Sequence, residues 1–164
     1  MIELKEITWA NARKVVNLKV APDQVGLVAS NANSMADAYC ELKDGSSTYP
    51  LAIHKDDEVV GFLMYEYTDN VDRDPEDDGF LSPNDYYHLY RLMIDENHQN
   101  KGYGRLAMKQ LIDRLHKQTD NTANELFICY CPENVVGKKF YESFGFVDTG
   151  QVVDGENITR LVLK

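Results

Sequence analysis

Leu92-Met93-Ile94-Asp95-Glu96-Asn97-His98-Gln99-Asn100-Lys101-Gly102-Tyr103-Gly104-Arg105 is the stretch on which the reading of this chain turns. It continues a run, Tyr86 to Ile94, that is nearly unbroken in apolar and aromatic residues, the composition of a central strand covered on both faces. Beyond the two glycines, Tyr103, Ala107, Leu111 and Leu115 recur at four-residue spacing with Met108 and Ile112 beside them, which predicts an amphipathic helix. The unit is therefore strand, glycine turn, helix. Glycines at a helix start let main-chain N–H groups approach an anion closely, and the helix N-terminus adds partial positive charge, so a phosphate site is implied. Two glycines alone are read equally well as a plain loop. The Gly-Lys-Ser/Thr ending of a nucleotide-phosphate loop is absent, as is a three-glycine dinucleotide fingerprint.

Upstream of this unit, Ile2, Leu4 and Ile7 interleave with Glu3, Lys5 and Glu6 and predict a first strand. Thr8 is placed to cap a helix over Asn11 to Val20, a second helix is expected from Ser34 to Leu42, and Ser30 to Ser34 reads as the loop between them. Tyr49 to His54 and Val59 to Tyr67 predict a hairpin around Asp56-Asp57-Glu58. Asp69 to Asp85, with Pro75 and Pro83 and the acidic run Asp72 to Asp78, reads as an exposed mobile loop. Downstream, a strand over Glu125 to Tyr130, a helix over Asn134 to Phe144, and strands over Phe146 to Val153 and Ile158 to Leu163 complete a pattern that mixes βαβ units with hairpins. The 164 residues suit one domain, 1–164, with no linker or internal repeat.

Composition narrows the function. Seventeen basic residues against 27 acidic give a formal charge of −10, which repels a phosphate backbone and disfavours nucleic acid as a partner. Cationic small molecules are the more natural clients. Cys40, Cys129 and Cys131 cannot all pair within one chain, and the latter two are separated by one residue, so a reducing cytoplasmic location is expected. Met1-Ile2-Glu3-Leu4-Lys5 is not a basic segment leading into an apolar run, and no stretch is long enough to span a bilayer, so neither secretion nor membrane insertion is expected. His54, His88, His98 and His116 are scattered and make no zinc spacing with Cys129 and Cys131, so no metal is expected. Those two cysteines fall on one face of their strand and read as core residues.

A second segment strengthens the phosphate-site reading: Pro132-Glu133-Asn134, then Lys139-Phe140-Tyr141-Glu142-Ser143-Phe144-Gly145-Phe146. With Gln99-Asn100-Lys101-Gly102-Tyr103-Gly104 as the acyl-CoA motif and Asn134 and Phe140-Tyr141…Gly145-Phe146 as the C-terminal motif, the chain resembles the GNAT superfamily of N-acetyltransferases. Val28 to Asn31, Val60 to Tyr65, Arg91 to Asp95 and Pro132 to Asn134 are similar to segments of bacterial spermidine/spermine acetyltransferases. The resemblance covers nearly the whole chain. It implies an α/β fold with a mixed, splayed sheet flanked by helices, acetyl-CoA as co-substrate, and a primary amine, foremost spermidine or spermine, as acceptor. Aminoglycosides, amino acids and protein N-termini are the alternative acceptors, and a non-catalytic acyl-CoA or polyamine sensor is the alternative class. A homodimer through Ile158 to Leu163 is the quaternary expectation the resemblance carries.

The resemblance also implies roles for residues. Leu92, Met93 and Ile94 would end a strand whose neighbour diverges, leaving main-chain groups for the pantetheine arm, with the N–H of Met93 or Ile94 facing the thioester oxygen as it gains charge. Gln99, Asn100, Lys101, Gly102, Tyr103, Gly104 and Arg105 would wrap the pyrophosphate, with Lys101 and Arg105 adding charge at its rim. Asn134 would cap the last helix, bind pantetheine amides, or both. Tyr141 is the expected general acid, since a phenol is protonated at neutral pH and has a proton to give a departing thiolate. Direct attack in a ternary complex is expected, because no cysteine or serine has an evident base partner in the sequence. Freeing the lone pair of an amine with a pKa near 10 costs about 4 kcal/mol at pH 7, so a proton acceptor is needed. Some polyamine acetyltransferases carry a glutamate there, but Tyr90 aligns with it in this chain. Glu66, Tyr90 and a water chain remain the candidates, and Glu66 and the Asp72 to Asp78 run are candidate contacts for a polycation.

Overall fold

The computed structural model describes residues 1–69 and 81–163; most of the predicted acidic loop, including Asp72 to Asp78, lies outside them. In chain order the elements are β1 (Ile2–Glu6), α1 (Ala12–Asn17), α2 (Asn31–Lys43), β2 (Ser47–Lys55), β3 (Glu58–Thr68), β4 (Tyr86–Ile94), α3 (Tyr103–His116), β5 (Glu125–Tyr130), α4 (Val135–Glu142), β6 (Val147–Val153) and β7 (Glu156–Val162). The seven strands form one sheet in the order β1-β2-β3-β4-β5-β7-β6. Every neighbouring pair is antiparallel except β4 and β5, which are joined by the α3 crossover and run parallel. No helix among the described residues is long and apolar enough to cross a membrane.

The two faces of the sheet bury different helices. On one, Ala107, Met108, Leu111 and Leu115 of α3 pack on Leu51, Leu63, Tyr65, Tyr87, Leu89, Leu126 and Ile128, with Phe140 and Tyr141 of α4 and Phe144 just beyond it against the same cluster. On the other, Val15 of α1 and Ala38 of α2 meet Ala52, Phe62, Met64 and Met93. The four-residue spacing in α3 thus reports one buried stripe, as its sequence predicts.

Three boundaries differ from expectation. The helix placed over Asn11 to Val20 is only α1, and Asn11, rather than Thr8, is its cap residue; the Asn11 side chain accepts from the Thr8 N–H and donates to the Glu6 carbonyl. Ser30 to Ser34 is not a loop. Ser30 caps α2 by accepting the Asn33 N–H at 3.2 Å, and Asn31 donates to the Val15 carbonyl, so polar residues that resemble a linker are a helix start. Lastly, β7 lies between β5 and β6, with Ile158 and Leu163 turned into the core. The sheet edge on this side is β6, and the exposed apolar residues here are Val147 and Val152 of β6 and Val162 of β7.

Candidate active site

The site begins with an irregularity in β4. Arg91 opposes Met64 and Leu89 opposes Tyr65, so Tyr90 has no partner on β3 and forms a bulge. The bulge shifts the side-chain phase: Leu89, Leu92 and Ile94 face the α3 side, and Tyr90 and Met93 the α1/α2 side. On its other flank, β4 pairs with β5 only at Tyr87–Leu126 and His88–Phe127, after which the strands part. The resulting cleft, about 390 Å³, is lined by Leu92, Ile94, the 99–105 turn, Ile128, Tyr130, Asn134 and Tyr141, among others.

Main-chain polarity along this wall can be read from its hydrogen bonds. The Asp95 N–H donates to the Val60 carbonyl of β3 at 2.9 Å, while the Ile94 carbonyl accepts from the Gln99 side chain at 3.0 Å on the opposite flank. Alternation therefore turns Met93 toward β3 and Leu92 and Ile94 toward the cleft. A Cβ on Gly61 would lie 2.5 Å from the Met93 carbonyl oxygen, which places that carbonyl against β3. Of the two N–H groups considered for the thioester oxygen, only that of Ile94 faces the gap. The side chain of Met93 enters the α1/α2 core, its Sδ 3.7 Å from the Asn31 amide.

The turn that follows is braced from within. Asn100 and Gly102 both adopt left-handed backbone, at φ 61° and 77°, and this reverses the chain into α3. The Gln99 amide donates to Ile94 and to the Gln24 side chain at 2.7 Å, so it supports the turn and ties it to the α1–α2 connection. Lys101 Nζ donates to the Asn97 carbonyl at 2.8 Å, and Arg105 reaches Ser143 at 2.7 Å while covering the Phe144 ring, which joins α3 to α4. Gly104 meets only ordinary contacts, with Ile94 Cγ1 at 3.5 Å from an added Cβ, so its bareness is not demanded by the protein. Tyr103 lines the cleft and packs on the core as well. The first-turn amides of α3 have no partners inside the helix.

Across the cleft, the Asn134 side chain caps α4 by accepting the Gly137 N–H at 2.8 Å. A Cβ on Gly137 would lie 2.6 Å from that side chain, so the glycine makes room for the cap. Tyr141 is clamped by Tyr130, Phe140 and Phe146, with ring centroids at 6.0, 5.5 and 5.9 Å. Burial, with the Glu156 carboxylate and Tyr130 adding, pushes its phenol up to about 12. Its proton is therefore retained across the physiological range. The main-chain groups of Leu92 and the N–H of Ile94, beyond the last β4–β5 pair, on one wall and an amide side chain on the other suit an extended, amide-bearing arm such as that of CoA.

A second cavity, about 510 Å³, shares Leu27, Val28, Tyr90 and Cys129 with the first and carries the carboxylates of Glu66, Asp154 and Glu156. Burial, then the Glu66 carboxylate, pushes the Tyr90 phenol far above its usual range, so Tyr90 serves as a donor and not as a base. Cys129 packs against the buried cluster of Leu81, Tyr86, Phe127 and Ile158, as its core reading expects, and also lines this cavity; Cys131 lines it too, is only partly buried and joins no core cluster, which corrects its reading as a core residue. Cys129 does have a base partner, with His88 Nε2 3.3 Å from its sulfur. Burial and the Glu156 and Asp154 carboxylates push that thiol up to about 12, however, so it stays protonated and is a poor nucleophile. His88, Glu156 and Asp154 are not among the site residues the sequence suggests. Strand alternation gave no means of seeing that β3, β4, β5 and the β6–β7 turn converge on one cavity.

The Acetyltransferase (GNAT) family model matches residues 8–146. The chain belongs to the GNAT acetyltransferase family. It is an N-acetyltransferase of that family, and its mixed seven-stranded sheet with four helices is the GNAT fold. The spermine/spermidine N(1)-acetyltransferase of Bacillus subtilis (strain 168) is 26% identical over 158 residues, covering 96% of this chain and 95% of that protein. Among solved GNAT structures, the PaiA N-acetyltransferase of Thermoplasma acidophilum in complex with coenzyme A superposes with a TM-score of 0.69 at 14% identity, over 99% of each chain. The Vibrio cholerae spermidine N-acetyltransferase in complex with CoA and spermine gives 0.68 at 14% identity, over 99% of this chain and 95% of that one.

Proposed function

We propose that this GNAT enzyme transfers the acetyl group of acetyl-CoA to a primary amine of a polyamine such as spermidine or spermine, by direct attack in a ternary complex. The observation that carries the reading is the pair of adjoining cavities: one beside the Gly102 turn and the free flank of β4, the other lined by Glu66, Asp154 and Glu156, with Tyr90 and Cys129 common to both. A polycation is drawn to the carboxylate-lined cavity, and its end amine is then next to the cleft. The named function of the Bacillus subtilis relative supports the same acceptor.

In this reading the first-turn amides of α3 and the side chains of Lys101 and Arg105 hold the pyrophosphate, and Leu92, Ile94 and Asn134 hold the pantetheine arm. The Ile94 N–H is a fixed donor for the thioester oxygen as it gains charge. Tyr141 gives its proton to the sulfur as the C–S bond breaks. Release of CoA thiol, followed with a panel of amines for wild type and Tyr141→Phe, tests the proposal. Turnover of spermidine or spermine, falling roughly 10²- to 10⁴-fold in the variant with the KM for acetyl-CoA little changed, is the expected result. Turnover of an aminoglycoside alone would overturn the acceptor, and acetyl-CoA binding without thiol release from any amine would identify a sensor.

A further inference from the structure

We infer that His88 accepts the proton of the incoming amine, with Glu66 as its positioning partner; this rests on the amine-acetylation reading above. Glu66 of β3 and His88 of β4 are cross-strand partners. His88 Nδ1 is 3.8 Å from Glu66 Oε1, and that same oxygen accepts the Thr68 hydroxyl at 3.2 Å. On the far side of the ring, Nε2 is 3.3 Å from Cys129 Sγ. The row Thr68–Glu66–His88–Cys129 therefore crosses three strands and ends at a residue shared by both cavities. Glu66 and His88 are 15% and 10% exposed, so the contact is screened from bulk water. Tyr90 lies against the imidazole with ring centroids 4.1 Å apart and fixes its plane.

The Glu66 carboxylate, 3.8 Å from Nδ1, acts on the ring through its charge and favours a proton on that nitrogen, which leaves the Nε2 lone pair facing Cys129 at the cavity junction. The group now opposite that lone pair is a thiol, a weak donor that an ammonium, or a water carrying its proton, displaces at little cost. The competing candidates are less suited. Tyr90 holds its proton, and Glu66 sits behind the imidazole, its Oε1 shared with the Thr68 hydroxyl, one side chain farther from the Cys129 junction than His88. The other titratable groups facing this cavity are Tyr86, Arg91, Cys129, Cys131, Asp154 and Glu156. Arg91 donates to Ser34 Oγ and to the Tyr90 carbonyl, and Asp154 and Glu156 supply the facing carboxylates.

The proton inventory closes. The substrate ammonium gives one proton to Nε2, and the freed lone pair forms the C–N bond. As the C–S bond breaks, sulfur takes the Tyr141 proton, and the second N–H proton, lost from the new amide, restores Tyr141. The proton held by His88 leaves to solvent and is the one released per turnover.

The test is the pH profile of kcat/KM for spermidine in wild type, His88→Gln and Glu66→Gln, with acetyl-CoA binding measured by calorimetry on each. Wild type shows an acidic limb, since a protonated imidazole cannot accept. His88→Gln binds acetyl-CoA within about twofold, loses roughly 10²- to 10³-fold in kcat/KM and loses that limb. Glu66→Gln keeps the limb but loses roughly 10-fold in kcat/KM, because the imidazole is no longer held by its carboxylate. A limb that survives in His88→Gln, or a loss under threefold, overturns the assignment. Should His88→Gln fail to fold, an undiminished kcat/KM in Glu66→Gln overturns it instead. Absence of acetyl-CoA binding or amine turnover in wild type would refute the acetylation reading itself, a different result from either.

Discussion

Replacing Gly61 by alanine strikes the active site from behind. The new Cβ would lie 2.5 Å from the Met93 carbonyl oxygen, 2.8 Å from Ile94 Cδ1 and 3.0 Å from Ile53 Cδ1. Side-chain rotation relieves the last two contacts but not the first, which is main chain. Ordinary contact begins near 3.4 Å, so β4 must retreat from β3 by about 0.9 Å. Overpacking of this kind costs about 1–3 kcal/mol. Taking about 2 kcal/mol, and roughly 2–4 °C per kcal/mol for a chain of this size, Tm falls by roughly 4–8 °C. Because Gly61 pairs with Ile94, the displacement falls on the wall that presents the Ile94 N–H. A misplacement near 1 Å is worth up to about 10²-fold in rate. Thermal unfolding and kcat/KM for acetyl-CoA, measured on Gly61→Ala, check both halves. A variant with wild-type Tm and wild-type kinetics would refute the claim that the β3–β4 contact sets the position of the cleft wall.

Gly104→Ala is the complementary case: its Cβ meets nothing closer than 3.5 Å, so stability holds or rises by about 0.5–1 kcal/mol from helix propensity, while the KM for acetyl-CoA rises because the added methyl covers the first turn of α3. Urea unfolding alongside initial rates separates the two effects. Asp95 should make stability pH-dependent. Burial works against its ionisation, but the N–H groups of Lys19 and Asn97 and the Asn97 amide outweigh that and hold its carboxyl below the usual range. A depressed folded-state pKa contributes stability that is fully present above the ordinary aspartate value near 3.9 and is lost as pH falls through the lower folded value. Urea midpoints should therefore place Asp95→Asn about 2 kcal/mol below wild type at pH 7, with the gap narrowing at pH 3 and below. An equal gap at both pH values would count against the carboxylate. Tyr141, with its phenol pushed up to about 12, should impose no alkaline loss of kcat below pH 10, which a buffered pH series of thiol release will show.

Much of the fold was readable because long patterns dominate short ones. The Tyr86 to Ile94 run predicts β4 to the residue, and the α3 stripe and the β5 to β7 strands lie where their periodicity puts them, within a residue or two at the ends. The α1–α2 region was harder to read. Ser30-Asn31-Ala32-Asn33-Ser34 has linker composition, and tertiary partners, the Val15 carbonyl for Asn31 and the Arg91 Nε for Ser34, join the Ser30 cap in holding it as helix. In the site, the turn and Asn134–Tyr141 were visible as local motifs, each a short contiguous spacing. The Glu66–His88–Cys129 row was invisible because its members are 22 and 41 residues apart and meet only through sheet pairing. The choice between Met93 and Ile94 was likewise beyond a sequence, since it depends on which flank of β4 each peptide group faces.

The unopposed Tyr90 means that the catalytic gap and an unremarkable sheet differ by a single residue of chain. Excising it would bring Leu89 and Arg91 into adjacent register with Tyr65 and Met64, remove the local coiling that carries β4 away from β5, and let the two zip further along their length. Such a shortened chain would keep its hydrophobic layers and lose its groove.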